Sequence, residues 1–327
     1  MNDTILEVRN LSVHYADGDK RVKAVDGVSF SLRRGRILAL MGESGCGKTT
    51  TALALLGLLP HPGQVVGGEV RFEGRDLLSL RDDELRRIRG QEISTIFQDP
   101  VSGLNPVLSI GQQVEEIITS HLQVSKKEAR SMAHEALARV GLPQPEQLSK
   151  QYPFHLSGGM CQRVVIAIAT VLNPKIIIAD EPTSALDVTV RAGILNELER
   201  LRDERDVAIL LITHDMGVVA QMADEVAVMY AGRIAEQGSA SDVLRRPRHP
   251  YTWSLMATLP RLDQERKPLQ PIKGSPPDPA DLPNECAFLP RCRKAVTECR
   301  TQPSPPLEEL DPGHLAACYN PVFQQEE

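Results

Sequence analysis

Nearly unbroken apolar runs of strand length recur along the first two thirds of the chain: Arg36 to Met41, Ile93 to Phe97, Lys175 to Ala179, Ala208 to Thr213 and Glu225 to Tyr230. Runs without polar alternation predict strands buried on both faces. With helical patterns between them they give an α/β fold, a mostly parallel or mixed sheet covered by helices. Between Asp99 and Leu156 the strand pattern gives way to a helical one. Ser125 and Glu128 form a capping-box pattern, and Ala129, Met132, Ala133, Ala136, Leu137 and Val140 follow at helical spacing until Gly141 stops the helix. This predicts a helical subdomain inserted over about 99–156, whose apolar stripe is core.

Composition adds a boundary. Of 24 prolines, 15 fall from Val243 onward, so 1–242 reads as the α/β domain and 243–327 as a proline-rich extension. The chain is long enough for one large domain plus a smaller piece. With 37 basic and 43 acidic residues the net charge is −6, which gives no global attraction to nucleic acid or anionic lipid. No apolar stretch approaches the about 20 residues of a membrane-spanning helix. The segment Met1 to Asn10 lacks the basic, apolar and small-residue pattern of a secretory leader, which predicts a cytosolic location.

Gly42, Glu43, Ser44, Gly45, Cys46, Gly47, Lys48, Thr49 and Thr50 carry the pattern G-x-x-x-x-G-K-[ST], between a predicted strand and a predicted helix, Thr49 to Leu59. Such a loop turns its backbone N–H groups onto a phosphate and adds the partial positive charge of a helix start. Lys48 would bridge β- and γ-phosphates and Thr49 would coordinate Mg²⁺. The run Lys175 to Ala179 ends in Asp180 and Glu181, a pair of acids at the carboxyl end of a strand, suited to metal holding and to activation of a water. Leu156-Ser157-Gly158-Gly159-Met160 opens another helix with a hydroxyl and small residues, 23 residues from Ser157 to Asp180.

In this combination the sequence resembles the ATPase subunits of ABC transporters, over essentially its whole length. Gly42 to Thr49 resembles the Walker A loop, Gln98 the Q-loop glutamine, Leu156 to Met160 the signature motif, Ile176 to Glu181 Walker B, Ser184-Ala185-Leu186-Asp187 the D-loop, and His214 the switch histidine. Tyr15 matches the aromatic that stacks on adenine. The resemblance implies a P-loop NTPase core that takes ATP, with Mg²⁺ held by Thr49, Gln98 and Asp180. It further implies Glu181 as base, His214 and Gln98 in catalysis, and Ser157, Gly158, Gly159 and Asp187 at the nucleotide of a second ATPase subunit, packed head to tail. Met160 stands where glutamine is commoner.

Phe97 to Pro106 and Arg248-His-Pro-Tyr-Thr252 resemble the dipeptide and oligopeptide importer branch, with Gly103 in place of the more usual serine. That branch implies two membrane permease subunits, an extracytoplasmic substrate-binding protein, and a second, usually different, ATPase subunit, with no nucleic-acid partner, at the cytoplasmic face of the membrane. Cys286, Cys292, Cys299 and Cys318 are spaced C-x₅-C-x₆-C-x₁₈-C, with His314 nearby. The spacing alone leaves zinc, unmetallated thiols and a 4Fe-4S iron–sulfur cluster open. Similarity to the C-terminal region of dipeptide-importer ATPases implies the cluster, which would stabilise a segment with little core of its own. Competing readings are the same role for nickel, glutathione or antimicrobial peptides, a soluble ABC ATPase of DNA repair or translation, and a regulatory module without turnover.

Overall fold

The unbroken apolar runs do become buried strands. The computed structural model describes residues 3–18, 20–184, 187–258 and 272–323. They fall into two units, one made of Met1–Ile5, Leu32–Ile37 and Ser79–Ile212, the other of Leu6–Ser31, Leu38–Leu78 and Thr213–Glu327.

In the first unit the strands Ile93–Ile96, Ile176–Asp180 and Ala208–Thr213 run parallel, Ile93 opposite Ile176 and Ile176 opposite Ala208. The latter two are buried at every position, which is why they show no alternation. The helices Ile110–His121, Lys126–Arg139 and Gly158–Thr170 pack on one another. At Ser125 the predicted capping box is present: the Glu128 N–H donates to Ser125 Oγ and the Ser125 N–H to Glu128 Oε2. Ala129, Ala133, Ala136, Leu137 and Val140 are buried and form the core of the stripe, while Met132 at its margin is half-buried. Arg163 Nη1 donates to the Val140 carbonyl at 2.6 Å and satisfies a group that the helix end leaves open. Ser125→Ala removes one cap acceptor and should cost about 1 kcal/mol, read as a lowered denaturation midpoint; an unchanged midpoint would show that this box adds nothing.

In the second unit an antiparallel sheet orders its strands Lys20–Arg33, Thr4–Asp17, Gly63–Phe72 and Arg75–Asp76. None of these appears as an apolar run. The strand Gly63–Phe72 is buried only near its end, so its pattern carries little hydrophobic contrast. Elsewhere in this unit Ile37–Met41 pairs in parallel with Glu225–Tyr230, which pairs antiparallel with Arg233–Ser239. Two short strands of the extension, Glu308–Asp311 and His314–Ala316, continue outward, with Ala316 opposite Glu236 and Leu315 opposite Gln237.

The extension, expected to have little core of its own, does not stand apart from the core that the strands build. Tyr251 and Phe288 are buried at 0% and 2% exposure and share a cluster with Met41, Val228 and Tyr230. Nor does His314 face the cysteines: its Nε2 lies 2.7 Å from Glu236 Oε1. Glu236, fully buried, also accepts from the Arg248 and His249 N–H groups. Buried charge is held only with such partners. Arg248 in turn donates from Nε and Nη2 to Asp311 Oδ2, at 2.9 and 2.6 Å.

Candidate active site

The phosphate loop joins the buried strand Ile37–Met41 to the helix Lys48–Leu55. Gly42 has φ +152°, and a Cβ there would fall 2.2 Å from the Met229 carbonyl oxygen, so only glycine fits where the loop leaves the strand. Gly47 caps the helix with φ +107°, bringing no side-chain acceptor to a first turn that carries no acid. Lys48 is 8% exposed, and its ammonium donates to the carbonyls of Gly42 at 2.8 Å and Glu43 at 3.0 Å. The cation is thus folded onto the carbonyls of its own glycine-built loop at the start of a helix, a combination that favours a polyphosphate anion. Burial pushes the Cys46 thiol up against the pull of the Lys48 charge, and keeps it neutral.

Two more expected residues belong to this unit. Tyr15 pairs with Gly63 across the strands, and a Cβ on Gly63 would lie 2.6 Å from the ring. The glycine therefore leaves room for the half-exposed ring close to its neighbour strand. His214 is exposed at a turn fixed by Asp215, whose Oδ1 accepts from the N–H groups of Gly217 and Val218 and whose own N–H donates to Thr213 Oγ1.

The other expected residues lie in the first unit. Gln98 is exposed two positions past the strand Ile93–Ile96. The segment beyond it is knotted by Gln113, which accepts from the Asn105 N–H and donates to the Asn105 and Leu108 carbonyls. Asp180, 4% exposed, ends its strand, and Glu181 follows in the left-handed region at φ +48°. That conformation costs a non-glycine residue energy. It is held by the Glu181 N–H donating to the Ile212 carbonyl and by Ser184 N–H donating to the Glu181 carbonyl. Ser157 caps the helix Gly158–Thr170, its Oγ accepting from the Met160 N–H at 3.3 Å. Ser157 and Gly158 are exposed, and a Cβ on Gly158 would meet nothing within 4 Å. Asp187, also exposed, caps the helix Val188–Arg205 by accepting from the Val190 N–H at 2.9 Å. Ala185 and Leu186 lie outside the described residues.

Sequence reasoning missed an exposed aromatic group just before the signature serine. Tyr152 and Phe154 stack at 5.6 Å, and Phe154 is 69% exposed. It also missed Arg291 and Tyr251, which bond the side chain and backbone of Glu43 from 248 and 208 residues away. No local pattern signals contacts at that separation.

Cys286, Cys292, Cys299 and Cys318 all line one small cavity, together with His249, Phe288, Leu289, Lys294, Pro305 and Tyr319. All four are free thiols. Burial pushes Cys286, Cys292 and Cys318 up, Cys318 to about 12, and the neighbouring cysteines add to the shift in each case. Among the described residues, no group of three or more His, Cys, Asp or Glu side chains is placed to hold a metal ion, the four cysteines included.

The glycine-built loop between a buried strand and a helix, with its lysine drawn onto loop carbonyls, defines a P-loop nucleotide-binding protein of the α/β class. Family models sharpen this: one described as ABC transporter matches residues 25–184, and one described as oligopeptide/dipeptide transporter, C-terminal region, matches 235–299. The oligopeptide transport ATP-binding protein OppD of Escherichia coli K12 is 47% identical over 98% of this chain and 94% of its own length. The dipeptide transport ATP-binding protein DppD of Bacillus subtilis 168 is 48% identical over 91% of this chain and 89% of its own. Among solved structures, the dimeric bacterial ABC transporter cassette MJ0796 superposes with a TM-score of 0.66 at 30% identity, over 72% of this chain and 98% of that one. The chain belongs to the ABC transporter ATP-binding proteins, in their oligopeptide and dipeptide branch. No helix among the described residues is long and apolar enough to cross a membrane.

Proposed function

We propose that this protein binds and hydrolyses ATP to drive uptake of dipeptides or oligopeptides through separate membrane permeases, working from the cytoplasmic face of the membrane. The observation that carries the reading is the presence in one chain of a glycine-built phosphate loop and an exposed, serine-capped helix start. Both are helix starts suited to an anion. The Gly42–Thr50 loop grips the β- and γ-phosphates, with Lys48 as its positive charge already held at the loop, and Tyr15 stacks on the base. Mg²⁺, when bound, neutralises charge on the transferring phosphoryl group, and Thr49, Gln98 and Asp180 are the residues to hold it. Glu181 takes a proton from the attacking water, and His214 donates to the γ-phosphate. Ser157, Gly158, Gly159 and Asp187 serve the nucleotide of a second ATPase subunit, a different chain or a second copy. ATP thereby joins the two and its hydrolysis releases them.

The relative DppD is named for dipeptide transport and OppD for oligopeptide transport, and both match almost end to end. We assign 1–242 to the ATPase and 243–327 to the branch-specific extension. The exposed Phe97, Val101 and Val107 beside Gln98 offer apolar surface for the permeases. The four cysteines would hold a 4Fe-4S cluster, which supplies structural cross-linking or a redox response. Support comes from the convergence of their thiols on one cavity. Iron and acid-labile sulfide measured on anaerobically purified protein should approach four each per chain, and their absence would reject it. For the function itself, the protein is reconstituted with its permeases and binding protein in liposomes. Peptide in the binding protein should raise ATP hydrolysis and ATP should drive peptide accumulation; accumulation independent of ATP would overturn the reading.

A further inference from the structure

Arg291 reaches the phosphate loop from the extension. Its Nη1 donates to Glu43 Oε2 at 2.7 Å and its Nη2 to Glu43 Oε1 at 2.9 Å. Nη1 also donates to the Tyr230 hydroxyl at 3.2 Å, and Nε to the Lys273 carbonyl at 3.3 Å. The arginine side chain is 4% exposed and the glutamate 25%, so this two-pronged ion pair is largely shielded from water.

A second contact fixes the same residue. The Glu43 N–H donates to the Tyr251 hydroxyl at 2.9 Å. Tyr251 itself is wedged against Tyr230 and Phe288, with ring centres 4.6 and 5.4 Å away. The Glu43 carbonyl, finally, is one of the two that receive the Lys48 ammonium. Every polar group of Glu43 is therefore engaged, and two of the three are held from the C-terminal region. The charge matters as much as the position. An acid inside a loop that binds a polyphosphate opposes its own ligand, unless a fixed cation cancels it.

We propose that Arg291 is a positioning residue for nucleotide binding: it neutralises Glu43 and holds the start of the phosphate loop, making the affinity for ATP depend on the C-terminal extension. This rests on the loop being the ATP site.

The test is nucleotide affinity of the full-length protein, measured with a fluorescent ATP analogue, together with KM and kcat for ATP in the reconstituted transporter. Arg291→Ala should weaken binding and raise KM about 10- to 100-fold, the range for losing a charged hydrogen-bonded partner, with kcat at saturating ATP within about twofold. Arg291→Lys should recover part of the loss, since it restores charge without the fork. The sign-specific arm is Glu43→Gln, which removes the uncompensated charge: in that background Arg291→Ala should cost no more than about threefold. Should Arg291→Ala fail to fold, Arg291→Gln carries the same comparison. Unchanged affinity in the arginine variants, or a loss that Glu43→Gln does not relieve, would overturn the proposal. Lys48→Ala is the control: if it too leaves binding intact, the ATP site itself is misassigned, whereas loss there with normal arginine variants sinks only the role of Arg291.

Discussion

Lys48→Ala should abolish high-affinity ATP binding, lowering it by about two to three orders of magnitude, because a charged donor to phosphate contributes about 1.5–3 kcal/mol per hydrogen bond. The ammonium now spans the Gly42 and Glu43 carbonyls at 2.8 and 3.0 Å, so it sits at the loop without needing to be recruited. Its removal deletes the charge that the loop is built around, while the strand and helix on either side keep their packing. Titration with a fluorescent nucleotide and a thermal unfolding curve separate the two effects. Binding within about threefold of the parent, at an unchanged midpoint, would show that the charge is not used for phosphate.

Glu181→Gln should leave ATP binding near its parent value and slow hydrolysis by about 100-fold or more, the typical contribution of a positioned general base. The backbone at Glu181 is held at φ +48° by its N–H bond to the Ile212 carbonyl, and glutamine preserves both the volume and that backbone. Only proton acceptance changes. With ATP present the variant should accumulate as a joined pair of ATPase subunits on gel filtration, the outcome expected under the proposal that hydrolysis releases them. Turnover at the parent rate would remove Glu181 from the role of base.

Much of the fold was legible in the sequence because the strands that carry the chemistry are the most deeply buried ones. Ile176–Asp180 and Ala208–Thr213 contain no surface position, so their apolar runs have no competing explanation. The Ser125 cap and its helix were equally legible, since both the box and the stripe are local patterns. The antiparallel sheet was not. Gly63–Phe72 is exposed or half-exposed over most of its length, and a strand with water on it need not look apolar. The extension misled for another reason. Its prolines imply irregular chain, and among its described residues the regular elements are short, such as Pro250–Ala257 and Glu308–Asp311. Yet aromatic burial by Tyr251 and Phe288 and the ion pairs of Arg248 and Arg291 fasten it to residues far back in the chain. Among the site residues, the loop glycines, Lys48 and the two acids could be read from spacing. The assignments of Tyr15, Gln98 and His214 came only through resemblance, because a single tyrosine, glutamine or histidine has no spacing to read.

The hairpin Glu308–Asp311 and His314–Ala316 occupies the outer side of Arg233–Ser239 and supplies the imidazole that meets the buried Glu236. A shortened chain ending near Asp242 would therefore acquire a raw sheet margin and a stranded carboxylate at one stroke, the recipe for clumping rather than for a minimal working ATPase. Swapping such tails among relatives would succeed only if the receiving edge strand travelled with the graft.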